Sequence, residues 1–123
     1  MKLSKTEEQL MQYLWSLEKA FMKDLLDAYP DPKPATTTVA TLLKRMTTKG
    51  FVAYTLYGKS REYYPLVKKE DYFSSHMNQL IKQFFNNSAS QFASFFTSRI
   101  DMSTEELEEL RKLIDDQIKK QEE

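Results

Sequence analysis

The hydrophobic spacing of the chain changes at Gly50, and this change constrains the fold more than any other feature. Before the glycine, apolar residues follow one another at intervals of three, one and three: Val39, Leu42, Leu43 and Met46. Such spacing predicts an amphipathic helix over residues 36–48. Ala35 or Thr36 is expected at its N-cap, and Gly50 just past its C-terminal end.

After Gly50 the chain is rich in aromatic and β-branched residues. Two such runs, 51–57 and 61–67, flank Gly58-Lys59-Ser60, which predicts a β-hairpin with a basic tip. Pro65 lies near the end of the second run and suits an edge strand, because proline cannot donate a backbone hydrogen bond.

Two further helices are predicted before residue 36. Ser4 and Glu7 form a capping box ahead of an apolar stripe, which predicts a helix over residues 5–17. A second helix is expected over residues 20–29, and three prolines then prevent its continuation: Pro30, Pro32 and Pro34. Three helices followed by a hairpin predict a winged helix-turn-helix domain over residues 1–68.

Residues 69–123 read as three more helices, so the fold class is mainly α, with a C-terminal helical region after the winged domain. These helices carry more apolar side chains than three short helices bury among themselves, and we expect a homodimer to cover them. The alternative is that the region packs back on its own first domain. The expected dimerisation residues are Phe73, Met77, Leu80, Ile81, Phe84, Phe85, Phe92, Phe95, Phe96, Leu107, Leu110 and Ile114.

The polar face of the third helix favours contact with DNA. Residues 33–68 carry seven basic side chains and one acidic side chain in a chain of zero net charge, which suits a polyanion at one face. Threonines at the start of a recognition helix can contact bases and phosphates, although capping or plain solvation explains any single one equally well. The candidate DNA-binding residues are Thr36, Thr37, Thr38, Thr41, Lys44, Arg45, Lys49, Lys59 and Arg61.

The sequence offers little to support an enzyme or a metal site. There is no cysteine, His76 is the one histidine, and the two glycines form no phosphate-binding loop. We therefore expect no catalytic residues, cofactor or metal. The N-terminal residues contain no apolar run of signal-peptide length, so we expect a cytoplasmic protein without membrane insertion. A winged-helix adaptor that binds proteins and not DNA is the alternative function.

Several short motifs, taken in order, resemble the penicillinase-repressor family of bacterial winged-helix regulators (the BlaI/MecI/CopY group). The motifs cover nearly the whole chain. They are Glu7…Met11…Trp15, residues 38–46 (TVATLLKRM), Lys49-Gly50-Phe51-Val52, Tyr63-Tyr64-Pro65-Leu66-Val67, Asp101-Met102-Ser103 and residues 106–111 (ELEELR).

The resemblance implies a homodimeric repressor on a palindromic operator, with the C-terminal helices forming the dimer. It also implies a membrane-bound sensor protease as a partner, since antibiotic-responsive members are cut at an Asn-Phe bond. That bond aligns with Phe95-Phe96, so the asparagine is missing here. The copper-responsive branch senses metal through C-terminal cysteines, which this chain lacks. The family's Ser-Pro start to the recognition helix is replaced by Ala35-Thr36.

Overall fold

The structure is a computed structural model that describes residues 2–123. That part of the chain is mainly helical, with one antiparallel hairpin between the third and fourth helices. The elements are α1 (Lys5–Leu17), α2 (Met22–Ala28), α3 (Thr36–Thr48), β1 (Val52–Tyr57), β2 (Ser60–Pro65), α4 (Lys69–Phe84), α5 (Ala89–Arg99) and α6 (Thr104–Glu122). The predicted winged helix-turn-helix followed by a helical region is confirmed.

The helix α1 begins where its capping box predicts. The Ser4 hydroxyl accepts a hydrogen bond from the Glu7 amide at 3.3 Å, and Glu7 Oε1 accepts one from the Ser4 amide at 2.9 Å. Two of the four unpaired amides at the helix start are thereby satisfied. At the other end, Glu18 adopts a φ of +68° and ends the helix.

The helix α2 is shorter than the predicted range of residues 20–29. Ala20 lies outside it, because its backbone forms two hydrogen bonds with Tyr63 of β2, at 2.7 and 2.9 Å. Phe21 then serves as the N-cap. The residues predicted as the first turn of a helix instead form a one-residue bridge that ties the start of α2 to the wing.

The hairpin has a tighter turn than the sequence predicts. Ser60 pairs with Tyr57, so two residues, Gly58 and Lys59, form the loop where three were expected. Gly58 has a φ of +62°, a conformation that glycine adopts without a steric penalty. The second strand also ends at Pro65 and not at residue 67. The Leu66 amide still donates to the Phe51 carbonyl at 2.8 Å, but the Phe51 amide donates to the Met46 carbonyl at 2.9 Å and not back to β2.

One hydrophobic core lies among α1, α2, α3, the hairpin and the start of α4. Its members come from every one of these elements: Leu3, Leu10, Met11, Leu14, Ala20, Leu25, Tyr29, Val39, Leu42, Leu43, Met46, Phe51, Val52, Tyr63 and Tyr72. Trp15 lies at the margin, partly buried, and donates its indole N–H to the Val67 carbonyl at 2.8 Å.

The described chain divides into two compact units within α4. We call residues 2–76 the winged unit and Met77–Glu123 the C-terminal unit. The winged unit extends past residue 68, the predicted boundary, because Tyr72 belongs to its core. The Tyr72 hydroxyl accepts a hydrogen bond from the Leu3 amide at 3.0 Å and donates one to Glu8 Oε2 at 2.7 Å. No helix in residues 2–123 is long and apolar enough to cross a membrane.

Candidate nucleic-acid interface

The helix α3 is fixed on one face and open on the other. Its apolar stripe is buried, with Val39 and Met46 fully inaccessible to solvent. The side chains on the opposite face are exposed. They include Thr48 and most of those predicted to bind DNA: Thr36, Thr37, Thr38, Thr41, Lys44 and Arg45. A rigid helix therefore presents a polar, positively charged face to solvent.

The start of α3 is uncapped by any side chain. Ala35 is the N-cap residue, and its methyl group accepts no hydrogen bond. Of the two residues expected at the N-cap, Ala35 and Thr36, the structure has Ala35. The free amides at the start of α3 and the positive end of its helix dipole favour an anion such as a phosphate.

Three of the α3 threonines use their hydroxyl protons within the helix. Thr41 Oγ1 donates to the Thr37 carbonyl at 2.9 Å, Thr47 Oγ1 to the Leu43 carbonyl at 2.7 Å, and Thr48 Oγ1 to the Lys44 carbonyl at 3.0 Å. Each hydroxyl keeps its acceptor lone pairs. Such side chains can accept a hydrogen bond from a base amino group, and their methyl groups can contact a thymine methyl.

A groove of about 450 Å³ separates α3 from the wing and brings cations of both together. Lys44 of α3 and Arg61 of β2 line it, together with Tyr54 of β1. The Arg61 guanidinium carbon lies 4.5 Å from the centroid of the Tyr54 ring, a cation–π distance. This stacking restrains Arg61, so less rotamer entropy is lost when it binds a phosphate.

A second groove, of about 460 Å³, lies between the wing and the start of α2. Three basic side chains line it: Lys59 and Arg61 of the wing, as predicted, and Lys23 of α2. Sequence reasoning did not select Lys23. The bridge between Ala20 and Tyr63 brings the start of α2 beside the wing, and no periodic pattern in the sequence indicates that pairing.

On its other side, α3 borders the start of α1. Thr38, Thr41 and Arg45 line a groove of about 390 Å³ with Ser4 and Thr6. The hydroxyls of α1 therefore extend the polar surface beyond the recognition helix. Six of the nine predicted DNA-binding side chains line these three grooves; the exceptions are Thr36, Thr37 and Lys49.

Lys49 differs from the other predicted cations. Its ammonium nitrogen lies 2.7 Å from Oε2 of Glu7, whose side chain is 3% exposed. Burial alone would raise the pKa of Glu7, but the hydrogen bonds from Lys49 and Ser4 outweigh it, and the pKa lies below its ordinary value. The sequence identified Glu7 as a capping residue, but not as the partner of a cation 42 positions away.

The predicted dimerisation residues are mostly solvent-accessible within one chain. Phe84 is the most accessible of them, at 69%, and Ile114 is 53% exposed. Phe73 differs, because its ring also packs against Trp15 and Tyr72 of the winged unit, at centroid distances of 5.9 and 5.2 Å. Leu113 of α6 is 62% exposed and was missed, although it lies three positions after Leu110 in the stripe.

Within the C-terminal unit, the end of α4 packs against α5 through phenylalanine rings. The Phe85 ring lies 5.5 Å from that of Phe92 and 5.4 Å from that of Phe95, centroid to centroid. This cluster fixes the turn between the two helices, where Asn86 and Asn87 both have positive φ. Other predicted residues, such as Phe84, Leu107 and Ile114, remain exposed.

A three-helix unit with a basic wing and an exposed, positively charged third helix defines a winged-helix DNA-binding regulator. In residues 2–123 no group of three or more His, Cys, Asp or Glu side chains could hold a metal ion. The model of the penicillinase repressor family matches residues 3–116, and the chain belongs to that family. It is therefore a transcriptional repressor by family and not an enzyme, as predicted.

Two MecI relatives match most of the chain, and one solved structure matches about half of it. The methicillin resistance regulatory protein MecI of Staphylococcus aureus (strain N315) is 25% identical over 113 residues, which span 91% of this chain and 92% of MecI. MecI of Mammaliicoccus sciuri is 24% identical over the same length. A solved structure of the CopR repressor is 28% identical and covers 55% of this chain and 100% of its own, with a TM-score of 0.46.

Proposed function

We propose that two copies of this chain bind a palindromic operator in the bacterial cytoplasm and repress transcription by occluding a promoter. The observation that carries the proposal is the exposed polar face of α3, bordered on both sides by grooves lined with basic residues. A protein-binding winged helix would carry exposed apolar residues on that face.

In this proposal α3 enters the major groove with its N-terminal turn towards the base edges. Thr36, Thr37 and Thr38 would contact bases and nearby phosphates. Lys44 and Arg45, further along the helix, would bind phosphates on either side of the groove. These contacts combine a sequence-independent electrostatic attraction with a smaller set of base contacts that select the site.

The wing would contact the adjacent backbone. Arg61, restrained over Tyr54, and Lys59 at the hairpin tip are the expected contacts. Lys49, whose ammonium is bound to Glu7, is not counted among the direct phosphate contacts.

The C-terminal unit would supply the dimer. Two of its helices, α5 and α6, bury no residue within one chain and carry exposed apolar side chains. A twofold interface would cover these side chains and set the spacing of the two α3 helices. Operator affinity would then depend on dimerisation, because one winged unit alone makes half of the contacts.

The test is a double substitution in α3, Lys44→Ala with Arg45→Ala. If both side chains bind phosphates in each half-site, four contacts disappear from the dimer complex. The plot of log affinity against log salt concentration should then become shallower by about 3.6. The affinity for the operator-containing fragment should fall at least about a hundredfold at physiological salt.

The matched control is Lys112→Ala with Lys119→Ala, which removes the same charge from exposed positions of α6. This variant should bind DNA with the parental slope. Sedimentation must show that both variants keep the parental oligomeric state. An unchanged slope in the α3 variant would remove these residues from the interface and favour the adaptor function.

We further propose that repression is relieved by proteolysis in α5, downstream of a membrane-bound sensor protease. Phe95 and Phe96 are 48% and 37% exposed, but they lie inside a helix, so the segment must open before a protease cuts it. A site-specific protease sequence introduced at this bond tests the consequence. Cleavage should dissociate the dimer and release the operator; a cleaved protein that still binds as a dimer would contradict the proposal.

A further inference from the structure

Glu7 is the one buried charged residue in the described part of the chain. It is 2% exposed and lies in the first turn of α1. A capping box requires an acceptor at this position, and the neutral side chain of glutamine serves equally well. A buried carboxylate is costly unless cations and hydrogen-bond donors surround it. The capping role therefore leaves the charge of Glu7 unexplained.

The two carboxylate oxygens have different partners. Oε1 accepts the hydrogen bond from the Ser4 amide at 2.9 Å, which is the capping contact. Oε2 accepts a hydrogen bond from the Lys49 ammonium at 2.7 Å, and Nη1 of Arg45 lies 4.0 Å from the same oxygen. One oxygen thus serves α1, and the other serves two cations near the end of α3.

The contact leaves the two cations in different situations. The Lys49 side chain is 30% exposed and its ammonium is engaged by the buried carboxylate. The Arg45 side chain is 51% exposed, and only one edge of its guanidinium approaches Glu7. Arg45 therefore keeps free donors towards solvent, whereas the Lys49 ammonium is paired with a buried carboxylate.

We propose that Glu7 is a positioning residue for DNA selectivity, which holds Lys49 away from the phosphates and steadies Arg45 beside the groove. The inference rests on the proposed function, because it assumes that α3 binds DNA. A cation that reaches any phosphate strengthens binding to every sequence equally. By compensating the positive charge of Lys49, Glu7 lowers the affinity for non-specific DNA and leaves recognition to the threonines and the restrained cations.

The experiment uses the full-length protein with Glu7→Gln, which keeps the acceptor for the Ser4 amide and removes the charge. Binding is measured to a random duplex and to the DNA upstream of the gene across a salt series. Release of Lys49 should steepen the slope of log affinity against log salt by about 0.9 for each chain that contacts the duplex. When the salt concentration is lowered from 200 to 50 mM, the affinity of the dimeric variant should therefore rise by about tenfold more than that of the parent. The preference for the upstream DNA should fall.

Two further variants separate this role from a structural one. Glu7→Gln combined with Lys49→Met removes the released cation and should restore the parental slope. Glu8→Gln is the matched control, because it neutralises the adjacent carboxylate, whose partner is the uncharged Tyr72 hydroxyl; its slope should equal that of the parent. Thermal unfolding establishes that each variant is folded.

The possible results differ in what they overturn. A parental slope in Glu7→Gln, or a steeper slope that persists in the double variant, would overturn the role of Glu7 while the proposed function stands. Absence of salt-dependent binding by the parent protein to either duplex would overturn both. A steeper slope in Glu7→Gln that the Lys49 substitution abolishes would support the inference.

Discussion

The winged unit and the C-terminal unit bury their apolar side chains very differently. Every buried hydrophobic residue of the described chain lies at or before Tyr72, within the winged unit. In the C-terminal unit, α5 and α6 contain no buried residue, and apolar side chains such as Phe84 and Leu113 are more than 60% exposed. One unit completes its core within the chain, and the other does not.

This difference indicates two kinds of stability in one small protein. The winged unit has the packed core that makes a domain independent of its partners. The C-terminal unit has the composition of half a core, which is typical of a surface that folds together with a second copy. The comparison therefore predicts that substitutions in the winged unit will change its free energy of unfolding, whereas substitutions in the C-terminal unit will change the affinity of self-association.

The largest effect is expected from Leu43→Ala in the winged unit. Leu43 is 1% exposed, and truncating a fully buried leucine costs about 3 kcal/mol through lost burial and the cavity that remains. Denaturant unfolding measured at low protein concentration should show this loss. The matched change Leu107→Ala, at a side chain 39% exposed, should cost less than about 1 kcal/mol under the same conditions. Equal losses would remove the distinction between the units.

A charge in the C-terminal unit should weaken self-association and leave the winged unit folded. Phe84→Glu places a carboxylate on the most exposed of the predicted interface rings. If that ring is buried in the dimer, dissociation should become about 30-fold easier, equivalent to about 2 kcal/mol. Sedimentation equilibrium measures this, with the neighbouring Gln83→Glu as control. A dimer unaffected by Phe84→Glu would place the interface elsewhere.

The smallest effect is expected at the link between α4 and the start of the chain. Tyr72→Phe removes the hydrogen bonds to Leu3 and Glu8 and should cost about 1–2 kcal/mol at neutral pH. Burial, together with the hydrogen bond to Glu8, raises the pKa of Tyr72 from 10 to about 12. Since the folded state favours the neutral phenol, this contribution is complete below pH 10 and is lost as the pH rises to about 12.

Unfolding of the parent and of Tyr72→Phe at a series of pH values checks this prediction. The difference in free energy of unfolding between them should be constant up to about pH 10 and shrink between pH 10 and about 12. A difference that is independent of pH across this range would show that the phenol makes no such contribution. Oligomeric state should be unchanged, because Tyr72 lies inside the winged unit.

Local sequence patterns predicted the elements well, because their causes are local. The Ser4 capping box fixed the start of α1, and Gly50, with a φ of +82°, follows α3 as expected. The threonines and Lys44 are exposed because the opposite stripe of α3 is buried. The first turn predicted for α2 was wrong because Ala20 pairs with Tyr63, a backbone contact between distant residues.

Contacts between residues distant in the sequence also explain what the sequence did not reveal about the site. Lys49 was predicted to bind phosphate from its position near Lys44 and Arg45, and its contact with Glu7 depends on how α1 packs against α3. Lys23 lies beside the wing because Ala20 pairs with Tyr63 and the Phe21 ring packs against Tyr57. Side-chain type and spacing identify which face is polar, but pairing across elements determines which of its charges are free.

The most direct test of the account is binding of the purified protein to the DNA upstream of its own gene, compared with a random duplex, across a salt series. The account predicts two chains bound per operator, a preference of about a thousandfold or more for the upstream fragment, and a linear fall of log affinity with log salt. Equal, weak binding to both duplexes would contradict sequence-specific recognition by α3.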